Sequence, residues 1–175
     1  SKALHLSLTG LTIRRSHQTK YPASILMIKE RVKLTMYEVV LNNEGSQGGS
    51  AIYSLADCKL NIYGGMITGG AKAGISSIGS TVLVAYCKIN KNPGYGIHIL
   101  EGSGYVEDSY ISNNGKSAVC LMGTSMMKIK HSDLRDNDKN LPFDIDINSL
   151  LSSTMCVGDR ESEKILRMFE AKVGF

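Results

Sequence analysis

Tryptophan is missing from this sequence, and proline is rare, with 3 in 175 residues. Only four cysteines occur, Cys58, Cys87, Cys120 and Cys156, with neither a CxxC spacing nor the density of a disulfide-stapled secreted domain. No apolar run approaches the ~20 residues of a membrane helix, and no apolar core of a signal peptide is present. These absences point away from a membrane and toward a reducing, intracellular compartment, cytoplasmic in the simplest case. Net charge is also small, +4, which is too little to argue for a nucleic-acid partner. The chain opens Ser-Lys rather than Met, so an excised domain or processed product is expected, part of a larger chain or assembly.

What is plentiful is glycine, 18 residues of it. With so little proline and no tryptophan, that glycine fits many similar tight turns better than a flexible linker. Hydrophobic residues at 42% and charged residues at 21% are ordinary for a globular chain with one core.

The dominant signal is internal repetition. The stretch Gly79 to Ile99 matches Ser103 to Leu121, with Ile89 and Ile111 as equivalent anchors. The anchor series extends to Ile13, Leu41, Ile67, Ile89, Ile111 and Leu134. Five positions earlier stand Leu8, Met36, Ile62, Val84, Val106 and Ile129, all apolar. Seven earlier stand Leu6, Leu34, Leu60, Val82, Gly104 and Met127, and two earlier stand Leu11, Val39, Gly65, Cys87, Ser109 and Ser132. Alternating apolar positions mark a short strand with one inward face. The step from minus five to minus two breaks that alternation, so the strand turns a corner there. Short strands joined by corners, recurring every turn, describe coils that bury their inner faces only by stacking.

Asn92, Asn114 and Asn137 each follow an anchor by three residues. Asparagine tolerates left-handed backbone and bonds nearby peptide groups, which suits a corner, and stacked asparagines can form a hydrogen-bonded ladder. A leucine-rich repeat does not fit these columns, and an antiparallel sandwich would not need them. The sequence therefore predicts an all-β fold: a single right-handed parallel β-helix of about six to seven coils over residues 1–150. Residues 151–175 form a capping segment, in which Ile165, Leu166, Met168, Phe169 and Val173 share one face of a predicted helix. The first coil starts without an obvious cap, so an upstream segment or a partner is expected at that end.

Gly96-Ile97-His98-Ile99 through Gly102-Ser103-Gly104-Tyr105-Val106-Glu107-Asp108-Ser109-Tyr110-Ile111 resembles the repeats of right-handed β-helix proteins of the pectate-lyase-like superfamily. The NosD and CASH-type repeats are the most similar, as in the F-box β-helix and SHC-binding/nessun dorma proteins. The resemblance covers roughly residues 3 to 148 and specifies architecture. It implies functions as different as polysaccharide cleavage, carbohydrate binding, substrate reception in ubiquitin ligases and cytokinesis scaffolding, so function must come from the site.

Enzymes of that superfamily cluster acids on one outer sheet. The outward column four before the anchors reads Thr9, Tyr37, Tyr63, Ala85, Glu107 and Lys130, and the column six before reads Ser7, Thr35, Asn61, Leu83, Tyr105 and Lys128. Neither carries two adjacent carboxylates. Asp108 and His131 share a column on neighbouring coils, about 4.8 Å apart, as an acid–base couple or a surface contact. With Asp133 and Asp136 they form the alternative catalytic set of a carbohydrate-active protein. Asp136 with Asp138 and Asp144 is an acidic loop or a calcium site, but the spacing lacks a DxDxDG pattern. His98 shares an outward column with Tyr53, Ser76 and Cys120, without metal-ligand spacing.

Tyr37 and Tyr63 are expected to stack outward on adjacent coils, to hold a partner or to strengthen the sheet. The basic run at Arg14, Arg15 and Lys20, with Lys33 beyond it, is a contact surface for acidic groups or a solvated loop. The leading expectation is a non-enzymatic interaction or scaffold module binding another protein through Tyr37, Tyr63, Arg14, Arg15 and Lys33. Carbohydrate is the alternative partner, and neither a metal nor another cofactor is called for.

Overall fold

A computed structural model describes residues 4–15 and 22–137 and the strands Ile145–Asn148 and Thr154–Val157. It is built from sixteen parallel strands. In chain order they are β1 (His5–Thr9), β2 (Thr12–Arg14), β3 (Leu26–Lys29), β4 (Lys33–Asn42), β5 (Ile52–Leu55), β6 (Lys59–Thr68), β7 (Ala73–Ile78) and β8 (Thr81–Ala85). They continue as β9 (Lys88–Asn90), β10 (Tyr95–Leu100), β11 (Ser103–Glu107), β12 (Tyr110–Ser112), β13 (Val119–Met122), β14 (Met126–Lys130), β15 (Ile145–Asn148) and β16 (Thr154–Val157).

The order β1-β4-β6-β8-β11-β14-β16 forms the first face, and β15-β13-β10-β7-β5-β3 forms the opposite sheet. Between them lies a second face of β2, the later halves of β4 and β6, β9 and β12, joined to the first where β4 and β6 run through the corner. This is a parallel β-solenoid of about five turns within the described residues.

The columns read from the sequence are the columns of the structure. Leu6, Leu34, Leu60, Val82, Gly104 and Met127 are successive register partners. So are Ile13, Leu41, Ile67, Ile89 and Ile111. From the second coil onward these apolar side chains are almost wholly buried and make one continuous core. In the first coil Leu6 and Leu11 are exposed, because no described coil stacks beyond β1. At about 25 cal/mol per Å² of apolar surface, each added coil stabilises the one before it.

The corners have a backbone signature. Three residues before each anchor stand Gly10, Glu38, Gly64, Tyr86, Asp108 and His131, and all six have positive φ, from 43° to 70°. Gly69, Lys91, Asn113 and Asp136 repeat this at the second corner, and Glu30, Ala56, Gly79, Glu101 and Gly123 at the third. Left-handed backbone costs a non-glycine residue roughly 1–2 kcal/mol. The stack maintains it because the interstrand bonds continue through the bend, as in Tyr86 N–H to Glu107 O and Asp108 N–H to Lys130 O.

The asparagine ladder is present, but its asparagines are not the left-handed residues. Those are their predecessors Lys91, Asn113 and Asp136, while Asn92, Asn114 and Asn137 turn inward and are buried. A serine ladder supports the first corner, where Ser109 Oγ accepts from Cys87 N–H at 3.1 Å and Ser132 Oγ from Ser109 N–H at 3.2 Å. The predicted capping helix over 164–173 lies outside the described residues.

Candidate binding ridge at the first corner

The left-handed residue at the first corner changes what faces solvent. In a flat strand successive side chains alternate between faces. Here two consecutive residues point outward between two that point inward: exposed Tyr37 and Glu38 stand between buried Met36 and Val39. Repeated coil after coil, this makes a ridge of paired outward residues. Tyr37 with Glu38, Tyr63 with Gly64, Glu107 with Asp108 and Lys130 with His131 follow one another along it, and on the coil between Tyr63 and Glu107, Tyr86 stands exposed beside buried Ala85.

Tyr37 and Tyr63 are register partners, and their rings stack with centroids 5.2 Å apart and an interplanar angle of 14°. Each ring covers one face of the other, with Tyr37 exposed and Tyr63 half-buried. Tyr86 and Tyr110 extend the aromatic zone and are 65% and 56% exposed. Tyr105 stands on the first face beside Glu107. Lys33 and Lys59 are register partners at the far edge of that face, and Lys128 and Lys130 lie on β14.

Of the residues the sequence nominated, Tyr37, Tyr63 and Lys33 therefore share one face. Arg14 lies at the end of β2 on the adjoining face, and Arg15 beyond it donates from Nη2 to the Ala23 carbonyl at 2.7 Å. The acidic set is also divided. His131 Nδ1 is 3.8 Å from Asp108 Oδ1, with both side chains substantially exposed on the ridge. Asp133 sits on the second face, bridged to Tyr110, where Arg135 donates to its two oxygens at 3.0 and 2.7 Å. These hydrogen bonds hold the Asp133 carboxyl below the usual carboxylate range. Asp136 stands at the second corner. Asp138 and Asp144 lie outside the described residues, and Asp146 is in β15 on the opposite sheet, in register with Cys120.

The His98 column has the expected register: Tyr53, Ser76, His98 and Cys120. His98 is nearly buried there, with Ser76 Oγ 3.3 Å from its Nδ1, Met122 Sδ 3.1 Å from its Nε2, and the Tyr95 ring stacked on it at 5.7 Å. Ser76 and Cys120 are fully enclosed, which makes this a packing arrangement. Cys87 is in the core as expected, and burial pushes its thiol up to about 12. A shallow depression among Ser80, Thr81, Glu101, Ser103 and Ser125 follows the third corner, away from the ridge.

The model of the right-handed β-helix region matches residues 4–142. The chain belongs to that family. No curated protein and no solved structure gives a match. The family assignment fixes the handedness of this β-helix and says nothing of its ligand.

Glu107 stands in the outward column read from the sequence, but that reading did not pair it with Asp108. Its neighbour Asp108 belongs to the next column, and alternation would send consecutive side chains to opposite faces. The left-handed φ of 46° at Asp108 keeps both carboxylates on the outer surface beside His131. The phase break three residues before the anchor was the available signal.

Proposed function

We propose that this β-helix is a non-enzymatic binding module whose first face and first-corner ridge receive another protein. The observation that carries this reading is the stacked Tyr37–Tyr63 pair, on a parallel sheet that also carries the Lys33–Lys59 pair at its far edge. Solvent-exposed tyrosines are rigid, amphipathic anchors that bury much area at small entropic cost. The stacked rings combine apolar surface with phenolic hydroxyls, which suit the mixed apolar and hydrogen-bonding contacts of a protein surface.

Carbohydrate cleavage fits the acidic residues less well. It requires two carboxylates facing one cleft, whereas Asp133 is engaged by Arg135 and Asp136 stands at a different corner. The buried cysteines Cys58, Cys87 and Cys120, none of them in a disulfide, suit the reducing, intracellular setting proposed for the protein.

The test is affinity capture from native lysate with the purified chain and with a Tyr37→Ser/Tyr63→Ser variant as baits, followed by reconstitution of each captured protein with purified components. A protein that binds the wild type directly and loses at least about tenfold in affinity to the variant fits hot-spot behaviour and supports the reading. Retention of glycans on an array, with no protein meeting that criterion, would replace it with the carbohydrate reading.

A further inference from the structure

We propose that Glu107, Asp108 and His131 form a binding site for one divalent first-row transition cation of the zinc class. Their ligating atoms lie within 4.8 Å of one another, the one such grouping of three donors found among the described residues. The corner builds it: left-handed backbone at Asp108 sets two consecutive carboxylates outward. The same conformation one coil later, at φ 43°, sets His131 directly beside Asp108.

The 3.8 Å from His131 Nδ1 to Asp108 Oδ1 is longer than a hydrogen bond. Bonds of about 2.0–2.2 Å to nitrogen and oxygen place tetrahedral ligands roughly 3.3–3.6 Å apart. Small rotations of three partly exposed side chains close that difference. Glu107 forms no ion pair within the described residues, although Lys130 is its register partner across the coil. Its carboxylate therefore has coordination capacity to give. Two carboxylates and an imidazole are too few oxygens for calcium, which takes six to eight, and suit a borderline cation that accepts nitrogen. Water completes the coordination, so the site is open on its solvent side.

The experiment is titration calorimetry of the full chain with zinc chloride, beside Glu107→Gln, His131→Ala and, as a remote control, His5→Ala. Even an outer-shell partner of a metal ligand is worth about 10–100-fold in affinity, so loss of a ligand weakens binding by at least about tenfold. One equivalent bound by the wild type and by His5→Ala, and at least tenfold weaker binding in both other variants, is the expected result. Cobalt added to the same chain gives a visible spectrum without a thiolate-to-cobalt charge-transfer band, because the described thiols are buried. No binding at millimolar zinc, wild-type affinity in Glu107→Gln or His131→Ala, or a thiolate band overturns the proposal. Unchanged circular dichroism of the variants keeps loss of fold out of the comparison.

Discussion

Asn92 donates from Nδ2 to Oδ1 of Asn114, one coil away, at 2.9 Å, and its backbone N–H donates to the same oxygen at 3.2 Å. Asn114 repeats both bonds to Asn137, at 2.8 and 3.1 Å, and the far end closes where Gly70 N–H donates to Asn92 Oδ1 at 2.8 Å. Each asparagine also donates to a carbonyl one coil back, as Asn114 does to Ile89 O at 3.2 Å. These amides are buried and satisfied through one another, so their value is collective.

Asn114→Ala removes the middle of this ladder. Two Asn92 donors lose their acceptor, and Asn137 Oδ1 and the Ile89 carbonyl each lose the Asn114 Nδ2 donor. A buried unpaired polar group costs about 1–3 kcal/mol, so the variant is expected to lose about 3 kcal/mol or more of stability. Urea unfolding followed by circular dichroism measures it. A loss below 1 kcal/mol would mean the ladder does not hold the second corner.

The apolar columns were legible in the sequence because they carry their own signature. Leu34, Leu60 and Val82 stack only if each is apolar, and the alternation around them sets the register. The left-handed column was not legible from residue type. Gly10, Glu38, Gly64, Tyr86, Asp108 and His131 share a backbone conformation and nothing else. The interstrand bonds impose that conformation, and the side chain merely tolerates it, so composition records it weakly. Asn113 and Asn114 illustrate the difficulty. Both types suit a corner, but the first takes the left-handed backbone and the second the ladder. The pairing of Glu107 with Asp108 was hidden for the same reason, since alternation assigns neighbours to opposite faces.

Two glycines separate backbone strain from crowding. Gly79 has φ 59° with open space around it, so Gly79→Ala costs only the left-handed penalty of about 1–2 kcal/mol. Gly65 has φ 88°, and a Cβ there would overlap the Val39 carbonyl oxygen on the neighbouring coil. Gly65→Ala adds overpacking of about 1–3 kcal/mol to the same strain. Its midpoint in urea is expected well below that of Gly79→Ala, and equal midpoints would contradict the close approach of coils at Val39.

The Asp133–Arg135 pair makes a pH-linked prediction of modest size. Because the folded state holds the Asp133 carboxyl below its ordinary range, the pair contributes above the unfolded carboxyl's pKa. That contribution disappears as pH falls through the lowered folded value. Arg135 is exposed and Asp133 half-buried at the surface, so Arg135→Ala is expected to cost less than about 1 kcal/mol at neutral pH. In an NMR titration the Asp133 carboxyl should move up toward the ordinary aspartate range in Arg135→Ala. An unmoved titration would show that Arg135 does not set it.

Cys87 gives a prediction at the alkaline end. Its side chain lies in the core, where burial disfavours the thiolate and raises the thiol from 9.0 to about 12. The folded chain therefore keeps a proton that the unfolded chain releases above pH 9. Stability from this source is fully present below pH 9 and declines as pH rises toward 12, by at most about 1.4 kcal/mol per pH unit. Cys87→Ala should flatten that part of the stability profile, at the cost of a small cavity at all pH values. Native Cys87 should also resist alkylation at pH 8, since the reactive species is the thiolate. Mass spectrometry after brief iodoacetamide treatment reads this directly: unmodified in buffer, modified in urea. Rapid native labelling at Cys87 would mean that the coils open around it far more readily than this continuous core implies.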